Sequence, residues 1–270
     1  MPELKSSNGA LGRVLTGAAQ DRNTYAQPGY PAPYGDTGYA APQVRTMTVD
    51  DVVIRTVFLL ALTGITGAVS WLFIPPAVQG LALLASGVIG LVLALVIVFA
   101  QVTNPVVISA YAVIQGVAAG VVSKFYENLY DGIVLQAVVA TFGVFFAMAV
   151  LYKFRVLRAT PKFARGVIGA LIGVVALMLI NFVVGFFNDG GIGIRASADP
   201  SAKVSWLPIV FSLVVIVVAA LTFILDFDQV EQGVRYGLPE KYAWACAFGL
   251  LVGLIFLYYE VLRLLSYLRR

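Results

Sequence analysis

The sequence has no histidine, a single cysteine and few charges, with Asp, Glu, Lys and Arg making up 12% of its 270 residues. That is about half the charged share of an ordinary soluble domain. Without histidine there is no Ser-His-Asp or Cys-His catalytic set, no imidazole metal ligand and no imidazole proton relay. Cys246 lies in an apolar run, can form no internal disulfide and is silent about redox compartment. We therefore expect no enzyme, no cofactor and no metal site. No apolar core precedes Val52, so nothing near the start reads as a cleavable signal peptide. The missing charge is also unevenly spread. Thr56 to Ser123 contains no Asp, Glu, Lys or Arg, and charge-free runs recur at Gly132–Tyr152, Gly166–Asn188, Val204–Leu225 and Tyr242–Tyr259.

What fills these runs is aliphatic and aromatic. Apolar residues reach 60%, and mean hydropathy is +0.90. A membrane-spanning helix needs roughly 20 mostly apolar residues, and the chain offers that length repeatedly. The fold class is all-α, a polytopic membrane protein held in a lipid bilayer. Net charge is +4, but the basic residues gather in one loop and at the chain ends. There they act as topology signals and not as a nucleic-acid surface.

Residues 1–46 form a separate region rich in Gly, Pro and Tyr, with Tyr25, Tyr30, Tyr34 and Tyr39 set among small polar residues. Too little aliphatic surface is present to offset the entropy of ordering, so this reads as a disordered cytoplasmic tail. Residues 47–270 form the membrane domain. Seven helices are predicted at Val53–Ile74, Ala77–Ala100, Pro105–Phe125, Gly132–Tyr152, Phe163–Phe187, Ser205–Tyr236 and Glu240–Leu268. Pro75-Pro76 must break a helix, Asn104-Pro105 supplies a start signal, and Gly237-Leu238-Pro239 separates the last two.

With seven spans the two ends lie on opposite sides. Most Lys and Arg fall on the N-terminal side, above all Lys153, Arg155, Arg158, Lys162 and Arg165. The positive-inside rule then places the N-terminus in the cytoplasm and the C-terminus outside. Small residues at four-residue spacing, Gly116/Gly120, Gly169/Gly173 and Gly249/Gly253, read as helix-packing positions.

An ionisable group inside the bilayer costs roughly 2.5–3.5 kcal/mol at a helix centre on insertion scales, so it marks function. Asp226 reads this way, well inside the sixth helix, with Asp228 nearby on another face. Glu260 reads as an anchor near the outer interface through Arg263, three residues on. Arg55 in the first span either snorkels to the surface or reaches a carboxylate.

The order of motifs is similar to that of the Bax inhibitor / YccA-like family, the transmembrane Bax inhibitor motif family, in its bacterial form. The resemblance covers about Val52 to Leu268. It runs from Arg55-x-Val-Phe through Tyr111-x-x-x-Gln115-Gly116-x-x-x-Gly120 and Asp131-Gly-Ile-Val-x-Gln136-Ala137-x-x-x-Thr141-x-x-x-Phe145. It ends with Leu225-Asp226-x-x-Gln229, Leu238-Pro239-Glu240 and Leu262-Arg263-Leu-Leu. Resemblance implies a seven-helix bundle with the last helix central, located in the plasma (inner) membrane. It also implies a pH-sensitive leak for calcium or other cations, governed by facing carboxylates on helices six and seven. The first carboxylate matches Asp226, with Asp228, Glu260 and Arg55 as its candidate partners in the ion path and pH sensor. The second position counts to Gly253, which has no side chain, and Glu260 lies seven residues further on. Gln115 stands where the family often has Glu. The alternative role that the family implies is regulation of a membrane-protein partner, such as a quality-control protease.

Overall fold

The computed structural model describes residues 45–185, 187, 191–195 and 205–270. The predicted tail, apart from its last two residues, therefore lies outside the described residues. Among the described residues seven helices follow one another: α1 (Val49–Phe73), α2 (Pro76–Phe99), α3 (Pro105–Leu129), α4 (Ile133–Lys153), α5 (Pro161–Gly185), α6 (Trp206–Arg235) and α7 (Tyr242–Leu268). All seven are long and apolar enough to cross a membrane, and there is no strand among the described residues.

Local chemistry sets the boundaries. Thr48 and Asp51 form a capping box at the start of α1, each side chain bonded to the other residue's backbone N–H. Pro75 is extended and Pro76 occupies the first turn of α2. The Asn104 side chain accepts from the Val106 N–H at 2.9 Å, ahead of Pro105. The main departures from the predicted ends are at α1, which starts four residues earlier, and at α3, which runs on to Leu129. That extra turn of α3 carries Glu127, whose carboxylate accepts from the Gly132 and Val134 N–H groups at 2.6 and 3.0 Å. A glycine at φ 75° begins α4 and has no capping side chain of its own, so a residue five positions back supplies the cap.

α7 is the centre of the bundle. It is buried along its length from Tyr242 to Tyr267 and packs against α6, α1, α4 and α3. α6 and α7 form an antiparallel hairpin, whereas α2 leans chiefly on α3 and α5 chiefly on α6. Arg45 and Thr46, the last residues of the predicted tail, belong to the fold. Thr46 bridges Pro239, the Glu240 N–H donates to the Arg45 carbonyl at 2.9 Å, and the Met47 N–H donates to the Leu238 carbonyl at 2.7 Å. Met47 is buried over Gly233.

The glycine pairs divide into distinct cases. A Cβ on Gly116 would collide with Thr66 Oγ1, and one on Gly120 with Ser70 Oγ and the Gly67 carbonyl. These two positions let α1 and α3 approach closely enough for Thr63 to donate to the Ala112 carbonyl and Ser70 to the Val117 carbonyl. Gly253 yields its side-chain space to the Phe223 ring, and Gly249 lies beside Asp226. Gly169 and Gly173 depart from the packing expectation, since a Cβ at either meets open space. Spacing alone does not say whether a small-residue face has a neighbour.

Gly116→Ala and Gly120→Ala should each destabilise the protein by about 1–3 kcal/mol, the usual cost of overpacking. Gly169→Ala should leave stability unchanged or slightly raised. Unfolding in mild detergent measures all three, and equal losses would contradict this packing.

Candidate functional site

The candidate site is defined by where each ionisable side chain in the spans finds a partner. Arg55 reaches a carboxylate. Its guanidinium lies 2.5 Å from Glu240 Oε1, donates to the Glu240 carbonyl at 2.6 Å and sits over the Trp244 ring. Arg45 also faces Glu240, at 3.7 Å. This group ties the start of α1 to the α6–α7 turn and, being fully engaged there, leaves Arg55 remote from any role beside Asp226.

Glu260 is 2% exposed. Its Oε1 is 2.6 Å from Arg263 and 3.0 Å from Arg195, with a second Arg195 contact to Oε2 at 3.4 Å. The i,i+3 pair with Arg263 is the expected one. Arg195 is the addition, arriving from the segment before α6 with its guanidinium over the Phe211 ring. In the sequence it stands only as a loop charge 65 residues from its partner. Burial of the carboxylate and neutralisation by two guanidinium groups make this a structural lock.

Asp228 accepts from Gln232 at 2.5 Å and, more weakly, from the Tyr152 hydroxyl at 3.5 Å. That hydroxyl donates chiefly to Glu231, at 2.5 Å. Both acids thus belong to the polar end of α6 on the N-terminal side. Gln115 donates to the Tyr111 hydroxyl at 3.2 Å.

Asp226 differs from all of these. Among the described residues its carboxylate makes no hydrogen bond and no ion pair. It lies nine residues inside the end of α6, about 14 Å along the axis, facing α7. A Cβ built on Gly249 would be 4.0 Å from Asp226 Oδ1. The hairpin register therefore puts Gly249 opposite the acid, one turn from the position counted from Leu238-Pro239-Glu240. Gly253 instead faces Phe223, whose Cε1 would be 2.9 Å from an added Cβ. Phe223 meets Phe145 edge-on at 5.2 Å, and Phe145 meets Phe227 at 5.5 Å. These rings pack α4 against α6 on either side of Asp226 in the chain. Gly249 and Glu260 are eleven residues apart, about 16 Å along α7. Asp226 and Glu260 are thus not brought together.

Towards the Glu260 end of α7, a cavity of about 610 Å³ opens between α2, α3 and α7. Gln79, Gln115, Tyr126 and Tyr259 line it, with Arg263 as its charged residue. The Tyr259 hydroxyl has no hydrogen-bond partner. No group of His, Cys, Asp or Glu able to hold a metal ion occurs among the described residues.

A family model described as Bax inhibitor 1 like matches residues 12–270. The chain belongs to the Bax inhibitor 1-like family. No curated protein matches it. Family membership and the seven apolar helices make this a multi-pass membrane protein with a central seventh helix. The α7 residue that faces Asp226 in this Bax inhibitor 1-like chain is a glycine, Gly249.

The lock can be tested without any activity assay. Glu260→Gln strands two guanidinium groups and should cost about 3–5 kcal/mol, the range for breaking a buried pair. Adding Arg195→Gln should restore part of that loss, because fewer charges remain unpaired. Equilibrium unfolding in detergent reads both, and a neutral Glu260→Gln would remove the lock from the structure's supports.

Proposed function

We propose that the protein is a pH-sensitive leak for calcium or other cations in the plasma (inner) membrane, with Asp226 as its single proton-sensitive group. One observation carries this reading: an ionisable side chain without a protein partner inside the α6–α7 hairpin. Such a group costs roughly 2.5–3.5 kcal/mol at a helix centre when charged, and taking up a proton removes the charge. Each protonation event therefore changes the free energy of the hairpin, which a bundle with a central α7 can convert into opening or closing. Asp228, Glu260 and Arg55 carry no part of the sensor in this reading, since each is held by other groups.

A second reading follows from the glycine opposite the acid and from the cavity beside Tyr259 and Arg263. A cation entering that cavity meets Arg263 and no carboxylate. These features fit a regulator of a membrane-protein partner that conducts nothing. In both readings the protein is not an enzyme.

Protein in liposomes, assayed for calcium flux from mildly acidic to mildly alkaline pH, separates the two. Asp226→Asn fixes the neutral form while keeping size and hydrogen-bonding capacity. Wild-type flux should vary with pH and the variant's should be flat. A pH response unchanged in Asp226→Asn eliminates the sensor, and no wild-type flux at any pH favours the regulator.

The basic residues at the end of α4 and in the loop after it support a cytoplasmic N-terminus. In a Cys246→Ser background, an impermeant thiol reagent added outside should miss a cysteine at Val156 and label one placed between α5 and α6. The reverse pattern inverts the topology.

A further inference from the structure

On the N-terminal side, the ends of α4 and α6 and the loop leading to α5 enclose a polar cleft of about 580 Å³. We propose that this cleft binds the phosphate of an anionic phospholipid headgroup. The proposal is independent of the flux reading, because it involves neither Asp226 nor conduction.

Lys153, Arg155, Arg158 and Arg235 line the cleft together with only two carboxylates, Asp228 and Glu231. Those carboxylates are engaged by Gln232 and by the Tyr152 hydroxyl. None of the four basic side chains makes a hydrogen bond or ion pair among the described residues. Positive charge is thus in excess in a concave site, four basic side chains against two carboxylates, and guanidinium groups match phosphate oxygens through paired N–H donors.

The backbone adds a second, independent observation. Arg155 has φ 57°, a left-handed conformation that favours glycine. It follows the C-cap of α4 in a Schellman motif: the Val156 N–H donates to the Leu151 carbonyl at 3.0 Å, and the Arg155 N–H to the Tyr152 carbonyl at 2.9 Å. At the matching position after α6 the chain uses Gly237, at φ 64°. An arginine where glycine would be easier holds its guanidinium at the cleft at a conformational cost.

The flanking residues favour a lipid over a soluble phosphate compound. Phe154 and Val156, on either side of Arg155, are 72% and 67% exposed. Lys153 ends α4, Arg235 ends α6 and Pro161 begins α5, so the loop lies at the bilayer surface. Exposed apolar side chains there enter the acyl region and hold the neighbouring guanidinium at headgroup depth. A site for a free solute gains nothing from them.

The test uses the full chain in nanodiscs of phosphatidylcholine with a minor fraction of spin-labelled phosphatidylglycerol, reading the immobilised fraction of the label. Wild type should retain phosphatidylglycerol selectively over labelled phosphatidylcholine. Arg155→Gly and Arg158→Gln should each lower that selectivity about fivefold, the scale of one basic residue at a membrane surface. Arg155→Gly suits the left-handed backbone, so its thermal unfolding midpoint should be unchanged or raised. That separates lost binding from lost fold. Lys162→Gln and Arg165→Gln remove the same charge from the same region but outside the cleft lining, and should lower selectivity clearly less than the two cleft substitutions do. Equal losses in both sets would overturn the cleft in favour of general surface attraction. Release of the labelled lipid by millimolar inorganic phosphate would overturn the lipid assignment in favour of a free-phosphate site. Absence of selectivity in wild type would overturn the proposal outright.

Discussion

In hydrocarbon a polar group has only the protein to bond to, and that constraint organises most of this structure. Lys124 near the end of α3 donates to the Trp71 and Ile74 carbonyls where α1 stops. These two bonds offset the partial negative charge of a helix C-terminus and satisfy a half-buried ammonium. Glu127 does the converse at the start of α4, where free N–H groups carry partial positive charge. Thr56, Thr66, Ser86 and Thr141 bond back to carbonyls of their own helices. Each spends its hydroxyl locally and leaves its apolar surface for packing. The Ser212 and Tyr259 hydroxyls also lack a partner. Among the described ionisable groups of the spans, however, the unpartnered carboxylate at Asp226 stands apart from Lys124, Glu127 and Glu260, each of which is held by other groups.

The spans were legible in sequence because length and charge depletion are sufficient to specify them. Pro75-Pro76, Asn104-Pro105 and Gly237 act through their own backbone, and the helix breaks fall where those residues require. Partners were legible only when close in the chain. Glu260 and Arg263 are one turn apart and could be paired by spacing. Arg195 comes from 65 residues away, and Arg55 meets Glu240 across 185 residues, so no periodicity announces either. The glycines show the same limit from the other direction. Gly116/Gly120 and Gly169/Gly173 have identical spacing, yet only the first pair has a helix lying against it.

Register explains the remaining difference. Counting residues past Leu238-Pro239-Glu240 points to Gly253 as the position facing the acid. α7 begins only at Tyr242, after Gly237 has closed a Schellman motif on α6 with the Leu238 N–H bonded to the Gly233 carbonyl. The antiparallel hairpin that results sets Gly249 against Asp226 and gives the space at Gly253 to Phe223. A carboxylate introduced at 253 would meet an aromatic ring, whereas one at 249 would have room beside the acid. Which α7 residue stands opposite Asp226 is therefore set by the packing around α7 and not by residue counting alone.

The same contacts say where α7 is held and where it is free. At one end Arg55, Arg45 and Glu240 bind the turn before it to the start of α1, and Met47 closes over Gly233. At the other end Glu260 is gripped by Arg195 and Arg263, while Arg269 donates to the Asp131 carbonyl and to Gln136. Between these clamps, beside Asp226, α7 presents Cys246 and Gly249, with Gly253 one turn on, and offers the acid no hydrogen bond. Small side chains there leave the hairpin interface with few directional contacts, and ionic pairs fix both ends. In the proposed sensor, a change of charge at Asp226 would act on a stretch of the central helix that no polar contact among the described residues holds in place, with the clamped ends confining the response to that stretch.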